Sequence, residues 1–235
     1  ECGAMSQGYI GYHLQNAIYN ALKRRGLNHG VATIVTQTVV DPNDPAFKNP
    51  TKPIGRFYTK EESEALVKRH GLPMVEDSGR GYRFVVPSPK PMDIIEKDVI
   101  KHLIDHNHIV IASGGGGIPV ILGETLNGVS AVIDKDFSSA KLAELIKADV
   151  FIILTAVKRV SINFRKPNEI EFSKLSVADA KRYIKEDQFG KGSMEPKILA
   201  ALAFVEGNKN GQAIIASLED AALALKGQAG TIIYQ

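Results

Sequence analysis

The sequence has only one cysteine, Cys2, among its 235 residues, and it contains no apolar run of membrane-spanning length. A single cysteine excludes an internal disulfide and is typical of a reducing compartment. The short apolar runs exclude an ordinary transmembrane helix, and no secretory signal pattern is visible. We therefore expect a cytoplasmic protein that does not act at a membrane.

Clustered charge is also missing. The formal net charge is +3, charged residues make up 23% of the chain, and no basic cluster with interleaved aromatic residues is present. Nucleic acid is therefore not an expected partner, whereas singly placed lysines suit a small anionic ligand. The 44% of hydrophobic residues is enough to build the core of one large domain.

Several common catalytic motifs are absent. No Gly-Lys-Ser/Thr follows the glycines at 114–117, and Pro119 stands where a dinucleotide-binding fingerprint has its last glycine. No carboxylate completes a zinc set with His102, His106 and His108, so an exposed helix face is the preferred interpretation there. No His/Asp arrangement supports a catalytic triad. The chemistry that remains is that of glycines, lysines and a few carboxylates.

Proline is distributed unevenly, since eight of the eleven prolines fall in residues 41–91. Within this segment Thr59 and Glu62 form a capping box that opens a short helix, Gly71 ends that helix, and residues 82–86 (YRFVV) are a candidate strand. A long segment with such ordered signals is typical of a functional lobe rather than an unstructured loop. We expect a protruding, lid-like subdomain at about 41–91.

Helix and strand signals alternate along the rest of the chain. The predicted strands are 31–40, 108–112, 129–133, 149–154, 212–217 and 231–235. The predicted helices are one that ends near Gly26, 93–107, about 139–147, one opened by Ser176, one with Pro196 at its first position and Gly207 past its end, and one capped by Ser217. This alternation predicts a single α/β domain over 1–235, with a mostly parallel sheet and helices on both faces.

Ligands of such a sheet bind outside the carboxyl ends of its strands. The residues that follow three predicted strands are Ser113 with Gly114, Gly115, Gly116 and Gly117, then Asp134-Lys135-Asp136, then Thr155-Ala156-Val157. Bare glycine amides can cradle phosphate oxygens, and a lysine between carboxylates can neutralise phosphoryl charge. A flexible turn and a solvated charged turn are the alternatives, and the expected convergence at one edge favours a phosphate site.

Two further lysines fit the same chemistry. Lys197 lies in the first turn of a predicted helix, where the helix dipole disfavours a cation, so a nearby anion would explain it. Lys52 lies between Pro50 and Pro53, which stiffen the backbone. An exposed position is the simpler alternative for each. Lysines, glycines and one orienting carboxylate are the inventory of phosphoryl transfer, which needs positioning and charge neutralisation.

These residues lie within longer strings that are specific to one family. The strings are CGAMSQGYIGYHLQNA, TQTVVDPNDPAFKNPTKPIG, EDSGRGYRFVVPSPKP, IVIASGGGGIPVI, AVIDKD and GSMEPKILAA. Over essentially the whole chain the sequence resembles the carbamate kinases of the amino acid kinase family. The resemblance implies a three-layer α/β/α sandwich with a mostly parallel central sheet, a homodimer, and reversible transfer between ATP and carbamate that gives ADP and carbamoyl phosphate with Mg²⁺.

The resemblance also implies roles for individual residues. Lys52 would reach the transferring phosphoryl group from the lobe, Lys135 and Lys197 would stabilise its charge, and Asp136 would orient the lysines. The residues implied to bind phosphate or substrate are Ser113, Gly114, Gly115, Gly116 and Gly117. The residues implied to bind the nucleotide are Thr155, Val157, Ser193 and Met194.

The sequence departs from the family pattern in several places. The family's early GGN turn and its GNGPQVG string are not present, so we expect a chain that lacks the N-terminal part of the domain. Ala156 stands where similar proteins have aspartate, and Arg56 and Phe84 also differ. Two alternatives therefore stay open: a kinase of this fold with another small acceptor, and a non-catalytic or inactive relative.

Overall fold

The computed structural model describes residues 1–77 and 79–235, which divide into two compact units, 1–138 and 139–235. The helices are α1 Cys2–Arg24, α2 Lys60–His70, α3 Lys97–Asp105, α4 Lys135–Leu145, α5 Val177–Lys185, α6 Met194–Gly207 and α7 Ala221–Ala224. The strands of the first unit are β1 Val31–Thr33, β2 Gln37–Val39, β3 Lys52–Tyr58, β4 Met74–Glu76, β5 Tyr82–Val86, β6 Asp93–Ile94, β7 Ile109–Ile111, β8 Ile118–Leu122 and β9 Leu126–Gly128. Those of the second unit are β10 Val150–Thr155, β11 Val160–Ile162, β12 Ile170–Phe172, β13 Lys174–Ser176, β14 Gln212–Ser217 and β15 Thr231–Tyr234. Of the helices in these described ranges, none combines the length and the apolar composition of a membrane span.

Two parallel strand pairs organise the first unit. Strand β1 pairs with β7, and β2 pairs with β8 in the four-stranded order β6-β2-β8-β9. The predicted single strand over 31–40 is therefore wrong, because the chain leaves one sheet after Thr33 and enters another at Gln37. The partner strands β7 and β8 are interrupted in the same way by the glycines at 114–117.

A side chain of helix α1 holds the break between β1 and β2. The backbone N–H of buried Thr36 donates to Gln7 Oε1 at 2.8 Å, and Gln7 Nε2 donates to the Thr36 carbonyl at 3.2 Å. Thr36 thus finds hydrogen-bond partners where a continuous strand would have supplied them, which satisfies a buried backbone. Only Gln7 and Gly11 of α1 are buried.

The proline-rich segment forms its own antiparallel sheet in the order β3-β5-β4, with helix α2 between β3 and β4. The capping box of Thr59 and Glu62 is confirmed, and Gly71 ends α2 in the left-handed conformation at φ 67°. Asp44 joins the two ends of the segment, because its carboxylate accepts the N–H groups of both Ala46 and Lys90. The lid-like role of residues 41–91 stays a prediction.

Three further elements differ from the sequence-based prediction in the first unit: two helices begin at other residues, and one predicted strand is not formed. Residues 93–94 are not helical, since they pair with β2, and α3 begins only after Glu96, whose carboxylate accepts two N–H groups of Gln37. Residues 129–133 form no strand, and Val132 donates its N–H to the Pro87 carbonyl instead. Helix α4 begins at Lys135 rather than near Ser139.

The second unit is built on the four-stranded sheet β10-β14-β15-β13. Strand β14 runs parallel to β10 and antiparallel to β15, and its residues from Ala213 to Ser217 are buried. Helix α6 contributes Phe204, whose ring lies 5.5 Å from that of Phe151 on β10. The Ser176 cap of α5 is confirmed, because its side chain accepts the Asp179 N–H.

Candidate active site

The glycine turn, residues 113–117, follows the carboxyl end of β7. Ser113 lies in the left-handed region at φ 53°, and Gly115, Gly116 and Gly117 have φ values of 66°, 102° and 83°. A Cβ at Gly116 would lie 2.3 Å from the Ile133 carbonyl oxygen, and one at Gly117 would lie 2.2 Å from Thr38 Oγ1. The missing side chains therefore serve both backbone conformation and close packing.

The Ser113 hydroxyl is buried beside this turn. Its Oγ has no hydrogen-bond partner among the described residues, although the Ser113 N–H donates to Thr36 Oγ1 at 2.9 Å. An unsatisfied buried hydroxyl costs about 1–3 kcal/mol. A ligand oxygen bound here would remove that cost.

Thr38 and Ser138 connect the glycine turn to the start of α4. Thr38 Oγ1 donates to the Gly116 carbonyl at 2.9 Å and lies 3.4 Å from Ser138 Oγ. The side chains of Thr38 and Ser138 are both buried. Because Gly116 also contacts the backbone of Ile133, the turn lies directly beside residues 134–136. The structure thus brings together two of the regions that the sequence predicted to converge.

Two pairs of oppositely charged side chains lie at the start of α4. Lys52 Nζ, on strand β3, donates to Asp134 Oδ2 at 2.6 Å, and Lys135 Nζ lies 3.6 Å from Asp136 Oδ2. The Lys135 side chain is 63% exposed, whereas that of Asp136 is 9% exposed. One lysine therefore comes from the proline-rich segment and one from the helix start, each beside a carboxylate.

The surroundings of Asp134 favour its charged form. Burial on its own raises the pKa of Asp134, but the hydrogen bonds from Lys52 Nζ and the Asp136 N–H, with the charges of Lys52 and Lys135, outweigh burial and leave the pKa below its ordinary value. The resulting stabilisation is fully present above the unfolded pKa of about 3.9. It is lost as the pH falls through the lower folded value.

The other candidate residues belong to the second unit. Thr155 ends β10 opposite Ser217 of β14, and its carbonyl accepts the Leu218 N–H at 3.2 Å. Val157 lies in the turn that follows, Ser193 precedes α6, and Met194 is its first residue. Their convergence with the first unit's residues stays a prediction.

Helix α6 begins two residues earlier than predicted, so Pro196 is its third residue and Gly207 its last. The Gly190 carbonyl accepts the N–H groups of Met194 and Glu195, both at 3.1 Å. Proline is tolerated in the first turn because it has no N–H to satisfy. Lys197 lies in this turn and is half-buried.

Sequence reasoning missed Asp134 as the partner of Lys52 and assigned the orienting role to Asp136 alone. A signal for the capping role of Asp134 was available, since an aspartate directly before a helix is a favoured N-cap residue. Asp134 Oδ1 accepts the Asp136 N–H at 2.9 Å in this way. The ion pair with Lys52 had no local signal, because 82 positions separate the two residues.

The family follows from the whole chain. Residues 20–217 match the amino acid kinase family, so the chain belongs to that family and is a phosphotransferase of the kinase type. The α/β fold class predicted from the sequence is confirmed by this match and by the solved structures below.

Similar proteins narrow the family to one branch, the carbamate kinases. Carbamate kinase of Clostridium perfringens is 56% identical over 99% of this chain and 74% of its own length. A carbamate kinase-like protein of Escherichia coli is 56% identical over 100% of this chain and 76% of its own length. The predicted resemblance to carbamate kinases is confirmed.

Solved structures agree with these relatives. Carbamate kinase from Giardia lamblia bound to citric acid has a TM-score of 0.91 and 44% identity, over 99% of this chain and 74% of that chain. The same enzyme bound to AMP-PNP has a TM-score of 0.88 and 44% identity, with the same coverage.

Proposed function

We propose that this protein catalyses reversible phosphoryl transfer between carbamoyl phosphate and ADP, giving carbamate and ATP. The observation that carries the proposal is the cluster of Lys52, Asp134, Lys135 and Asp136 beside the glycine turn. Positive charge next to bare backbone amides suits a phosphoryl group. The names of the similar proteins select carbamate as the acceptor.

The chemistry needs little acid–base help. A terminal phosphate oxygen of ADP attacks the phosphorus of carbamoyl phosphate, and the bond from phosphorus to the carbamoyl oxygen breaks. Carbamate leaves with that electron pair as an anion, and in the reverse direction it is already an anionic nucleophile. Catalysis therefore depends on positioning and on stabilising negative charge.

The residues divide this work by their place in the site. Lys52 contacts the transferring phosphoryl group, Lys135 and Lys197 stabilise its charge, and Asp136 holds Lys135. The amides of residues 114–117 and the unpartnered Ser113 hydroxyl hold substrate oxygens. The first-unit geometry supports these assignments, and that of Lys197 rests on the family resemblance.

Magnesium fits this site as an ion that the nucleotide brings with it. Among residues 1–77 and 79–235, no group of three or more His, Cys, Asp or Glu side chains could hold a metal. Mg²⁺ is usually bound by one or two carboxylates together with substrate phosphates. Asp136 is the carboxylate at hand, so phosphate oxygens would supply most ligands while the ion neutralises phosphoryl charge.

The nucleotide would be ATP or ADP, bordered by Thr155, Val157, Ser193 and Met194. A similar carbamate kinase has been solved with AMP-PNP, which supports an adenine nucleotide here. Ala156 stands in this group where similar proteins have aspartate, and it offers the nucleotide no polar side chain. Homodimer assembly and a cytoplasmic location belong to the same proposal.

The test is ATP formation from ADP and carbamoyl phosphate with Mg²⁺, using the chain and Lys135→Ala. We expect the variant to lose at least about a hundredfold in kcat while it keeps its fold, because a preorganised charge is removed from the transition state. Circular dichroism checks the fold, and Lys101→Ala is a control lysine on the exposed face of α3.

The contrary outcomes separate the alternatives. Turnover with acetyl phosphate but not with carbamoyl phosphate would favour a kinase with another acceptor. A folded wild-type chain without turnover would favour a non-catalytic relative. Near-normal turnover of Lys135→Ala would show that the assigned site is wrong.

A further inference from the structure

Asp134 contacts two separate elements through its two carboxylate oxygens. Oδ2 accepts Lys52 Nζ of strand β3 at 2.6 Å, and Oδ1 accepts the Asp136 N–H at 2.9 Å. The Asp134 carbonyl also accepts the Ser138 N–H at 3.0 Å. The carboxylate is therefore fixed by the first turn of α4, and it in turn fixes the lysine.

Lys52 needs such a partner because its side chain is long and flexible. The backbone of Lys52 is held by pairing with Val86 of β5, but four rotatable bonds separate that backbone from Nζ. The Lys52 side chain is 32% exposed and that of Asp134 only 15%. A partly buried ion pair is stronger than one at the surface, since less water screens it.

We propose that Asp134 is the positioning residue for Lys52, and that each carboxylate of the Asp134-Lys135-Asp136 triplet serves a different lysine. Asp134 holds the lysine of the proline-rich segment, and Asp136 holds Lys135. This inference rests on the proposed function, because it assigns how that site is preorganised. Asp134 acts through Lys52 and does not itself contact the phosphoryl group.

Two variants separate positioning from capping. Asp134→Asn removes the charge but keeps an oxygen that caps α4, since asparagine is as good an N-cap as aspartate. Asp134→Ala removes both. Asp105→Asn is the matched control, because it breaks a 2.8 Å ion pair with Lys101 that lies outside the site.

The first measurement follows Lys52 directly and needs no turnover. Each protein is labelled briefly with acetic anhydride, and the peptides that contain Lys52 and Lys101 are quantified by mass spectrometry. We expect Asp134→Asn to speed labelling of Lys52 several-fold and leave Lys101 unchanged. Equal labelling of Lys52 in wild type and Asp134→Asn would show that Asp134 does not hold Lys52, and this would overturn the inference.

The second measurement is the kinetics of ATP formation from ADP and carbamoyl phosphate. We expect Asp134→Asn to lower kcat about 10- to 100-fold with little change in the KM for ADP, because misplacing a reacting group by about 1 Å has an effect of this size. The melting temperature of Asp134→Asn should fall only slightly, through loss of the ion pair, whereas that of Asp134→Ala should fall further, because the helix cap is lost as well.

The outcomes distinguish this inference from the proposed function. An unchanged or raised kcat in Asp134→Asn, with active wild type, would overturn the positioning role alone. A melting temperature of Asp134→Asn as low as that of Asp134→Ala, with the same loss in kcat, would indicate a merely structural role and also overturn it. An inactive wild-type chain would contradict the proposed function, while the labelling result would still decide the contact.

Discussion

In the turn at residues 114–117, a side chain is disfavoured for two different reasons, a positive φ and close packing. Gly115 has φ 66° and open space around its Cα, so only its backbone conformation disfavours a side chain. Gly116 has φ 102° and also packs against the Ile133 carbonyl. The second constraint brings the turn to the start of α4, where the lysines lie.

These two glycines form a matched pair for a stability measurement. Gly115→Ala should lower the free energy of unfolding by about 1–2 kcal/mol, the cost of a left-handed residue with a Cβ. Gly116→Ala should cost roughly a further 1–3 kcal/mol, since the added Cβ meets backbone that cannot move freely. Urea denaturation measures both variants, and equal losses would contradict the importance of the Ile133 contact.

At the scale of elements, helix α1 approaches strand β1 through a glycine. A Cβ at Gly11 would lie 2.1 Å from Thr33 Cγ2, whereas a Cβ at Gly8 would meet nothing within 4 Å. Both glycines lie inside the helix. Helix propensity favours alanine at either position, and only packing distinguishes them.

Alanine at these two positions should therefore act in opposite directions. Gly8→Ala should raise the free energy of unfolding by up to about 1 kcal/mol, because alanine loses less backbone freedom than glycine. Gly11→Ala should lower it by about 1–3 kcal/mol, because Thr33 has to move. Thermal unfolding followed by circular dichroism measures both, and stabilisation by Gly11→Ala would show that α1 does not pack closely on β1.

At the scale of the molecule, the family match extends from residue 20 to residue 217 and so includes parts of both compact units. The predicted site residues are divided in the same way. The lysine and carboxylate cluster belongs to residues 1–138, and the predicted nucleotide contacts belong to residues 139–235. Binding of a nucleotide is therefore a property to be measured on the whole chain.

Such binding should raise the apparent stability of the protein. A ligand at a hundred times its Kd adds about 2.7 kcal/mol, which for a chain of this size raises Tm by roughly 5–10 °C. We expect ADP with Mg²⁺ to produce this shift and AMP to produce less, because AMP lacks the terminal phosphate that the site would hold. Differential scanning fluorimetry measures the shift in Tm. Equal shifts with ADP and AMP would contradict a site that binds the terminal phosphate of ADP.

The sequence by itself determined the elements that have local signals. Thr59, Glu62 and Gly71 define helix α2, and Ser176 opens α5. Caps and turns depend on neighbours within about four residues, so they are readable from the chain alone. The glycine turn, Lys135 and Asp136 were also predicted to lie together, because each follows a predicted strand, although residues 129–133 form no strand in the structure.

The tertiary structure decided whatever depends on distant partners. The break in residues 31–40 requires Gln7, 29 positions away, and the change from predicted helix to strand at Asp93 requires pairing with β2. Lys52 meets Asp134 across 82 positions. Hydrogen bonds and ion pairs between residues so far apart are set by how the chain packs, which no local pattern records.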